Sequence, residues 1–450
     1  MTPSDRQGAS AGAYPPPRVA WATVVILWLL LTFAFIDRQV LAMLVEPIKR
    51  DLGLSDLQFG ILTGWTFAIF LALFGFPFAR IADAGNRRRL IGGGVAVWSL
   101  MTAACGLARS FAQLFAARIG VSIGEAALAP AATSLLSDSF PANRRGRAIA
   151  LYSLGIPVGS ALAYVLGGLL LGALGSGSGF QLPGLGVVRA WQVVFLMVGL
   201  PGLILAGLIF AIPEPSRKGA KESDRGVPIG EAVRYFASRG RLFGFLLLAF
   251  AFENALLYGS GVWLPALFQR THGLTESQSG PMIGVMILVF STLGVIASGV
   301  LVDRWVARGH DDAHVRALGL AFLGSLLPGL LYPLMPSVPA ALLLLAPTLF
   351  FVAFVWGVGY AAMAAITPNA LRGQATALYV LTNNLIGYGL GPPAFGFFTD
   401  MVFGEEGLLK WSFVAVTGVF TVGGLSGLAL ARRSFALAAA AVRAGEQERA

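Results

Sequence analysis

Long apolar runs separated by short polar, proline- or glycine-rich punctuation recur along the whole 450-residue chain. Each run is close to the ~20 residues that a helix needs to cross a hydrocarbon layer. Twelve such spans are predicted, at 19–45, 57–80, 90–108, 111–136, 147–172, 190–212, 242–268, 280–302, 315–335, 339–366, 373–399 and 409–431. The first follows Arg6 and Arg18, as a secretory leader would. It is too long for one, carries a charge pair, and has no small-residue cleavage site after it.

Composition points the same way. Hydrophobic residues make up 56% of the chain and charged residues only 12%, and the mean hydropathy is +0.75, so the fold class expected is an all-α integral membrane protein. The net charge of +10 needs no nucleic-acid partner once its distribution is seen. With the N-terminus inside, 24 of the 32 basic residues fall on the inner side, six on the outer side, and two, Arg38 and Arg118, within spans. That bias places both termini in the cytoplasm of a cell (inner) membrane protein, with anionic membrane lipid attracted to the basic face. The single cysteine, Cys105, lies in an apolar span and reads as a small packing residue.

The one long polar linker, 213–241, separates six spans (1–212) from six more (242–450). The two parts echo each other. "RGRAIALY" at 145–152 returns as "RGQATALY" at 372–379, and "ARIAD" ending at Asp83 is matched by "GVLVD" ending at Asp303. A parallel repeat of a six-span unit is a transporter architecture, with a site between the two repeats.

On these residues the chain resembles the major facilitator superfamily. The loop "ARIADAGNRRRL" resembles the signature between that family's second and third helices, with Ala79 at the usual first glycine and Gly85 one residue early. It supplies Asp83, Arg87 and Arg88. "RIGVSIGEA", from Arg118 to Ala126, resembles the fourth-helix signature. "FIDRQVLA", "GLSDLQFGILTG" and "RIGVSIGEAALAPAATSLLSD" together are most similar to the spinster group and its bacterial relatives. The resemblance implies twelve helices in two six-helix halves, transport by alternating access, and an amphipathic lipid such as a lysophospholipid or sphingoid derivative as substrate. A small organic anion moved with a proton is the alternative.

Charges inside spans are costly and therefore informative. Asp37 and Arg38 interrupt the first span, while Arg118 and Glu125, seven residues apart, share a face of the fourth. Gly120 and Gly124 between them would let a neighbouring helix come close. Burial disfavours a carboxylate's charge and a nearby arginine favours it, so a site open alternately to two solutions can change its proton occupancy. Asp37 and Glu125 are the candidate proton-coupling groups, with Arg118 as their counter-charge; a fixed ion-pair network locking helices one and four would use the same residues. Arg38, about 100° around the helix from Asp37, reads as a packing or substrate-anion contact.

Further cavity candidates are Glu253, Asn254 and Tyr258 on the seventh span, Trp356 and Tyr360 on the tenth, and Asn383 and Asn384 on the eleventh, one of that pair facing the cavity and the other packing. Asp83 and Asp303, with Arg87 and Arg88, are candidate gate residues at inner helix ends.

Other chemistry is declined. "GHDDAHVR" at 309–316 reads as a solvated loop rather than a metal site. "GSGSG" at 175–179 follows a membrane helix and opens no nucleotide fold, and no ATPase-sized soluble domain is present. No cofactor is expected. Three histidines in or beside loops and no nucleophile constellation argue against a membrane enzyme, and a sensor built on a transporter fold is the remaining alternative. The expectation is a monomer whose partners are substrate, protons and lipid.

Overall fold

The computed structural model describes residues 14–175, 179–182, 186–217 and 227–447. Arg6, the middle of the GSGSG run and residues 218–226 of the linker lie outside them. Membrane spans close all their backbone hydrogen bonds internally, and the described chain is accordingly almost all helix. The helices are α1 Pro17–Met43, α2 Val45–Leu52, α3 Asp56–Ala84, α4 Arg87–Cys105, α5 Phe111–Glu125, α6 Leu128–Ser139, α7 Ala142–Ser153, α8 Gly155–Leu174 and α9 Ala190–Leu208. After the linker come α10 Ile229–Ser238, α11 Gly240–His272, α12 Glu276–Met286, α13 Thr292–Ala307, α14 Ala313–Leu331, α15 Val338–Val352, α16 Phe354–Ala365, α17 Arg372–Thr382, α18 Gly389–Phe397 and α19 Leu409–Gln447. A two-stranded hairpin, β1 Gly179–Leu182 and β2 Gly186–Arg189, pairs antiparallel with Gly179 opposite Arg189.

Helix is present at all twelve expected positions, and ten helical runs are long and apolar enough to cross a membrane. The third and eleventh expected spans fall short of that measure for different reasons. α4 opens with three arginines. The eleventh, made of α17, a π-helical stretch Asn383–Tyr388, α18 and a second π stretch Phe398–Phe403, is diluted by Asn383, Asn384, Pro392, Pro393 and several glycines.

Local chemistry sets several boundaries. Ser55 and Gln58 form a reciprocal cap at the start of α3, the Gln58 amide donating to Ser55 Oγ at 3.2 Å and the Ser55 amide to Gln58 Oε1 at 3.0 Å. Asn86 caps α4 through the Arg89 amide at 2.9 Å.

Three boundaries differ from the sequence reading. The first span stops at Met43, and Lys49 and Arg50 lie on the separate amphipathic helix α2. The polar linker contains α10, whose Tyr235 hydroxyl donates to the Ile366 carbonyl at 3.4 Å, close to where Gln374 donates to the Val227 carbonyl at 2.7 Å. The last helix runs to Gln447 rather than 431 because Arg432 pairs with Asp312 at 2.8 Å and Arg443 with Asp311 at 2.9 Å. Thus the 309–316 loop is an anchor for the final helix.

Both described ends of the chain lie at one end of the bundle, the termini end; the β-hairpin lies at the other. The helices before and after the linker are tightly packed towards the hairpin end. A Cβ on Gly60 would stand 2.7 Å from the Pro392 carbonyl oxygen, so α3 and α18 touch backbone to backbone. α3 has buried residues as far as Ala68 and none between Ile69 and Ile81. α3 is therefore held against α18 at the hairpin end and stands clear of close packing over residues 69–81 towards the termini end.

Candidate functional site

At mid-bundle, α1 and α5 exchange charges crosswise. Asp37 is 1% exposed and accepts from Arg118 Nη1 at 3.3 Å and from the Thr102 hydroxyl of α4. Its chain neighbour Arg38 turns the other way, pairs with Glu125, and donates to the Tyr388 hydroxyl at 3.0 Å. The ~100° step between consecutive helical residues makes this possible: one stretch of α1 presents an acid to Arg118 and a base to Glu125. Arg118 and Glu125 are themselves almost fully buried.

The Gly120 and Gly124 face works as its spacing suggests. A Cβ on Gly124 would lie 2.6 Å from the Trp98 amide nitrogen and 2.7 Å from the Gly94 carbonyl oxygen, so α4 rests directly on α5 and brings Thr102 to Asp37. Phe67 of α3 completes the group. The guanidinium of Arg38 stands 4.7 Å, and that of Arg118 4.8 Å, from the centroid of its ring. The set is not saturated: Arg38 Nε, Arg118 Nε and Glu125 Oε1 have no hydrogen-bond partner among the described residues.

The structure adds the pairing that the sequence left open: Arg38 is the counter-ion of Glu125, and Arg118 that of Asp37. Pairing is fixed by the rotation of α1 against α5, which a helical wheel of either helix alone does not contain.

A largely apolar cavity adjoins this group. Gln39 of α1, Tyr164 of α8, Leu257 and Tyr258 of α11, Ser291 and Trp356 are among its walls. Tyr258 stacks on Tyr388 with centroids 3.7 Å apart, which ties the cavity wall to the Arg38 hydrogen bond. Glu253 is not on the wall. It is wholly buried one turn from Leu257, and neither carboxylate oxygen has a partner among the described residues. Asn254 donates to Asn383 Oδ1 at 2.8 Å, making Asn383 the packing member of its pair and leaving Asn384 half-buried. Tyr360 is half exposed and meets Tyr379 edge-on at 5.2 Å, outside the enclosed cavity.

The expected gate residues separate. Asp83 and Asp303 are exposed at the termini end. Arg87 is buried and committed to Asp138, to Glu214 Oε1 at 2.6 Å and to the Pro215 carbonyl at 2.8 Å; Arg88 bonds the Ile212 carbonyl. Arg87 therefore ties α4 to α6 and the start of the linker, and Arg88 ties it to the end of α9 and the linker. These bonds all go to partners before residue 216, and Arg88 Nε has no hydrogen-bond partner among the described residues.

The hairpin end holds an ion cluster that the sequence reading counted only as charge. Arg270 of α11 grips Asp56 at 2.6 and 2.8 Å and Glu46 at 2.8 Å. Lys49 pairs with Asp56 and, at 2.8 Å, with Glu406. Asp400 accepts from the Leu57 amide at 2.7 Å, capping α3 from the far side of the linker. The signal available was the spacing Glu46, Lys49, Asp56 beside a break after the first span.

The Major Facilitator Superfamily profile matches residues 27–310. An "MFS-type efflux pump" of Mycolicibacterium smegmatis is 32% identical over 299 residues, 65% of this chain and 64% of that one, so the chain spans just under two thirds of that curated relative. The "Probable L-galactonate transporter" of Escherichia coli is 23% identical, with 77% of each chain covered. Among solved structures, a bacterial homologue of the human lysosomal transporter spinster, inward-facing and unoccupied, superposes with a TM-score of 0.79 at 29% identity, covering 94% of this chain and 98% of that one. With the profile covering more than half its length and a spinster homologue sharing its fold, the chain belongs to the Major Facilitator Superfamily and is spinster-like within it.

Proposed function

We propose that this transporter moves an amphipathic, lipid-like substrate by alternating access between residues 1–212 and 242–450, coupled to protons through Asp37 and Glu125. The observation that carries the reading is the juxtaposition at mid-bundle. Two crossed carboxylate–arginine pairs, with donors and an acceptor to spare, are joined through Tyr388 and Tyr258 to a cavity whose walls are mainly apolar. A polar head would meet Arg38 and Arg118 while an apolar body lay along Leu257 and Trp356. A charge pair held away from water changes its worth when it is hydrated, so proton binding and side exchange are linked.

Both termini are assigned to the cytoplasm from the basic-residue bias, which makes the termini end the inner one and, with α3 clear of close packing there, the arrangement inward-open, in a monomer of the cell membrane. Cys105 is the only cysteine and is buried, so reporter cysteines can be placed without background. One at Ala307 is labelled only from the cytoplasm and one at Glu405 only from outside; the reverse overturns the orientation.

The decisive experiment is substrate flux in proteoliposomes with and without an imposed pH gradient. A second reading, a small organic anion, is favoured by the two unpartnered guanidinium nitrogens. A thermal-shift screen of lysolipids against organic acids separates the two, because only a bound ligand stabilises the fold.

A further inference from the structure

Phe67 carries no charge and no hydrogen bond, yet it is the one element common to both ion pairs. Its ring is 1% exposed and lies just before the point at which α3 loses its packing, with Ile69 already 46% exposed. Arg38 has two other rings beside it, Phe35 at 4.8 Å and Tyr388 at 5.4 Å. Among the described residues Arg118 has only Phe67. We infer that Phe67 is a positioning residue for proton coupling, the fixed aromatic surface that holds the Arg118 guanidinium whenever Asp37 is neutral. The inference rests on the proton-coupled reading above.

While Asp37 is charged, Arg118 has a counter-ion. When a proton from the open side binds Asp37, Arg118 remains a cation, because a guanidinium does not give up its proton. It is then left in the membrane interior with the weak acceptor Cys105 and the quadrupole of Phe67 as its remaining attractions. The groups facing this pair from the surrounding helices are Thr102 and Cys105 of α4, Glu125 of α5, and Arg38 of α1. Glu125 is occupied by Arg38 and cannot take over as counter-ion without releasing it. The ring therefore lowers the cost of the protonated state. Removing its quadrupole makes protonation harder, so the pH at half-maximal transport moves towards acid.

The test is a fluorination series at position 67, since fluorine drains the ring's quadrupole while nearly preserving its shape. Mono-, tri- and pentafluorophenylalanine are introduced into the full chain, and gradient-driven flux is followed as a function of pH alongside thermal stability. The expected result is a progressive acid shift of the midpoint, on the order of one pH unit for the pentafluorinated ring, with an unchanged melting temperature. Phe67→Tyr keeps the wild-type midpoint, and Phe67→Leu shifts it like the most fluorinated ring. An unmoved midpoint across the series, in a protein whose Glu125→Gln variant loses gradient-driven flux, assigns Phe67 to packing alone and overturns the inference. If Asp37→Asn and Glu125→Gln themselves remain gradient-driven, the proton reading falls first and the role of Phe67 falls with it.

Discussion

Arg38 donates to the Tyr388 hydroxyl at 3.0 Å, joining the first helix to the eleventh span across 350 residues of sequence. The same tyrosine stacks on Tyr258 of the cavity wall. Tyr388→Phe keeps the stack and removes the hydrogen bond. A hydrogen bond to a charged group contributes about 1.5–3 kcal/mol, so a fall in melting temperature and a slower flux are expected. Normal flux in the variant would show that this link plays no part in the cycle.

Glu125→Gln imitates permanent protonation. Gradient-driven flux is expected to collapse while stabilisation by ligand survives, since the amide keeps the shape and part of the hydrogen bonding. Retained coupling in both Glu125→Gln and Asp37→Asn would leave the crossed pairs as structural fastenings.

Arg118→Ala is expected to be worse for both fold and flux, by about 3–5 kcal/mol, because it strands Asp37 in the interior. Combining it with Asp37→Asn should restore part of the stability and none of the coupling. Full additivity of the two losses would argue against a direct pair.

At the hairpin end, Arg270→Ala removes the cation shared by Asp56 and Glu46. Spin labels at Gln58 and Met401 should then report a longer mean distance, as the closed form of that end loses population. At the other end, Asp83→Asn should favour a form parted there, seen with labels at Ala84 and Ala307. Unchanged distributions would remove the respective residue from gating.

Asp312 carries a pH prediction. Burial pushes its carboxyl up, but hydrogen bonds from Arg432 and Arg316 outweigh that and hold it below the usual carboxylate range. A carboxyl lowered in the folded state contributes stability above its ordinary value, about 4, and loses it as pH falls through the folded one. The segment after Arg432 should therefore become more open to proteolysis in strong acid, and in Asp312→Asn at neutral pH. Equal digestion rates would show that the anchor does not hold the helix.

Charged residues in apolar spans were conspicuous in the sequence, and Asp37, Arg38, Arg118 and Glu125 do meet in one place. Their partner assignment was not legible, since it depends on how one helix is turned against another. Phe67 was invisible for a different reason: an aromatic among apolar residues looks the same whether it faces lipid, as Trp65 does at 45% exposure, or two guanidiniums. The Lys49–Asp56–Arg270 cluster was hidden by a helix break without proline or glycine at Leu44. Arg432 and Arg433 mark the end of the apolar run, but a membrane boundary is not a helix terminus when acids wait on a neighbouring loop.

The length of α19 has a practical use. A helix of 39 residues is about 58 Å long, nearly twice the ~30 Å hydrocarbon layer, and its far part is bolted to Asp311 and Asp312. A rigid helical scaffold fused in frame at Gln447 would inherit that orientation. For a transporter with little mass outside the bilayer, it would give electron cryomicroscopy a fiducial that turns with the second bundle, so that each particle image carries its own conformational label.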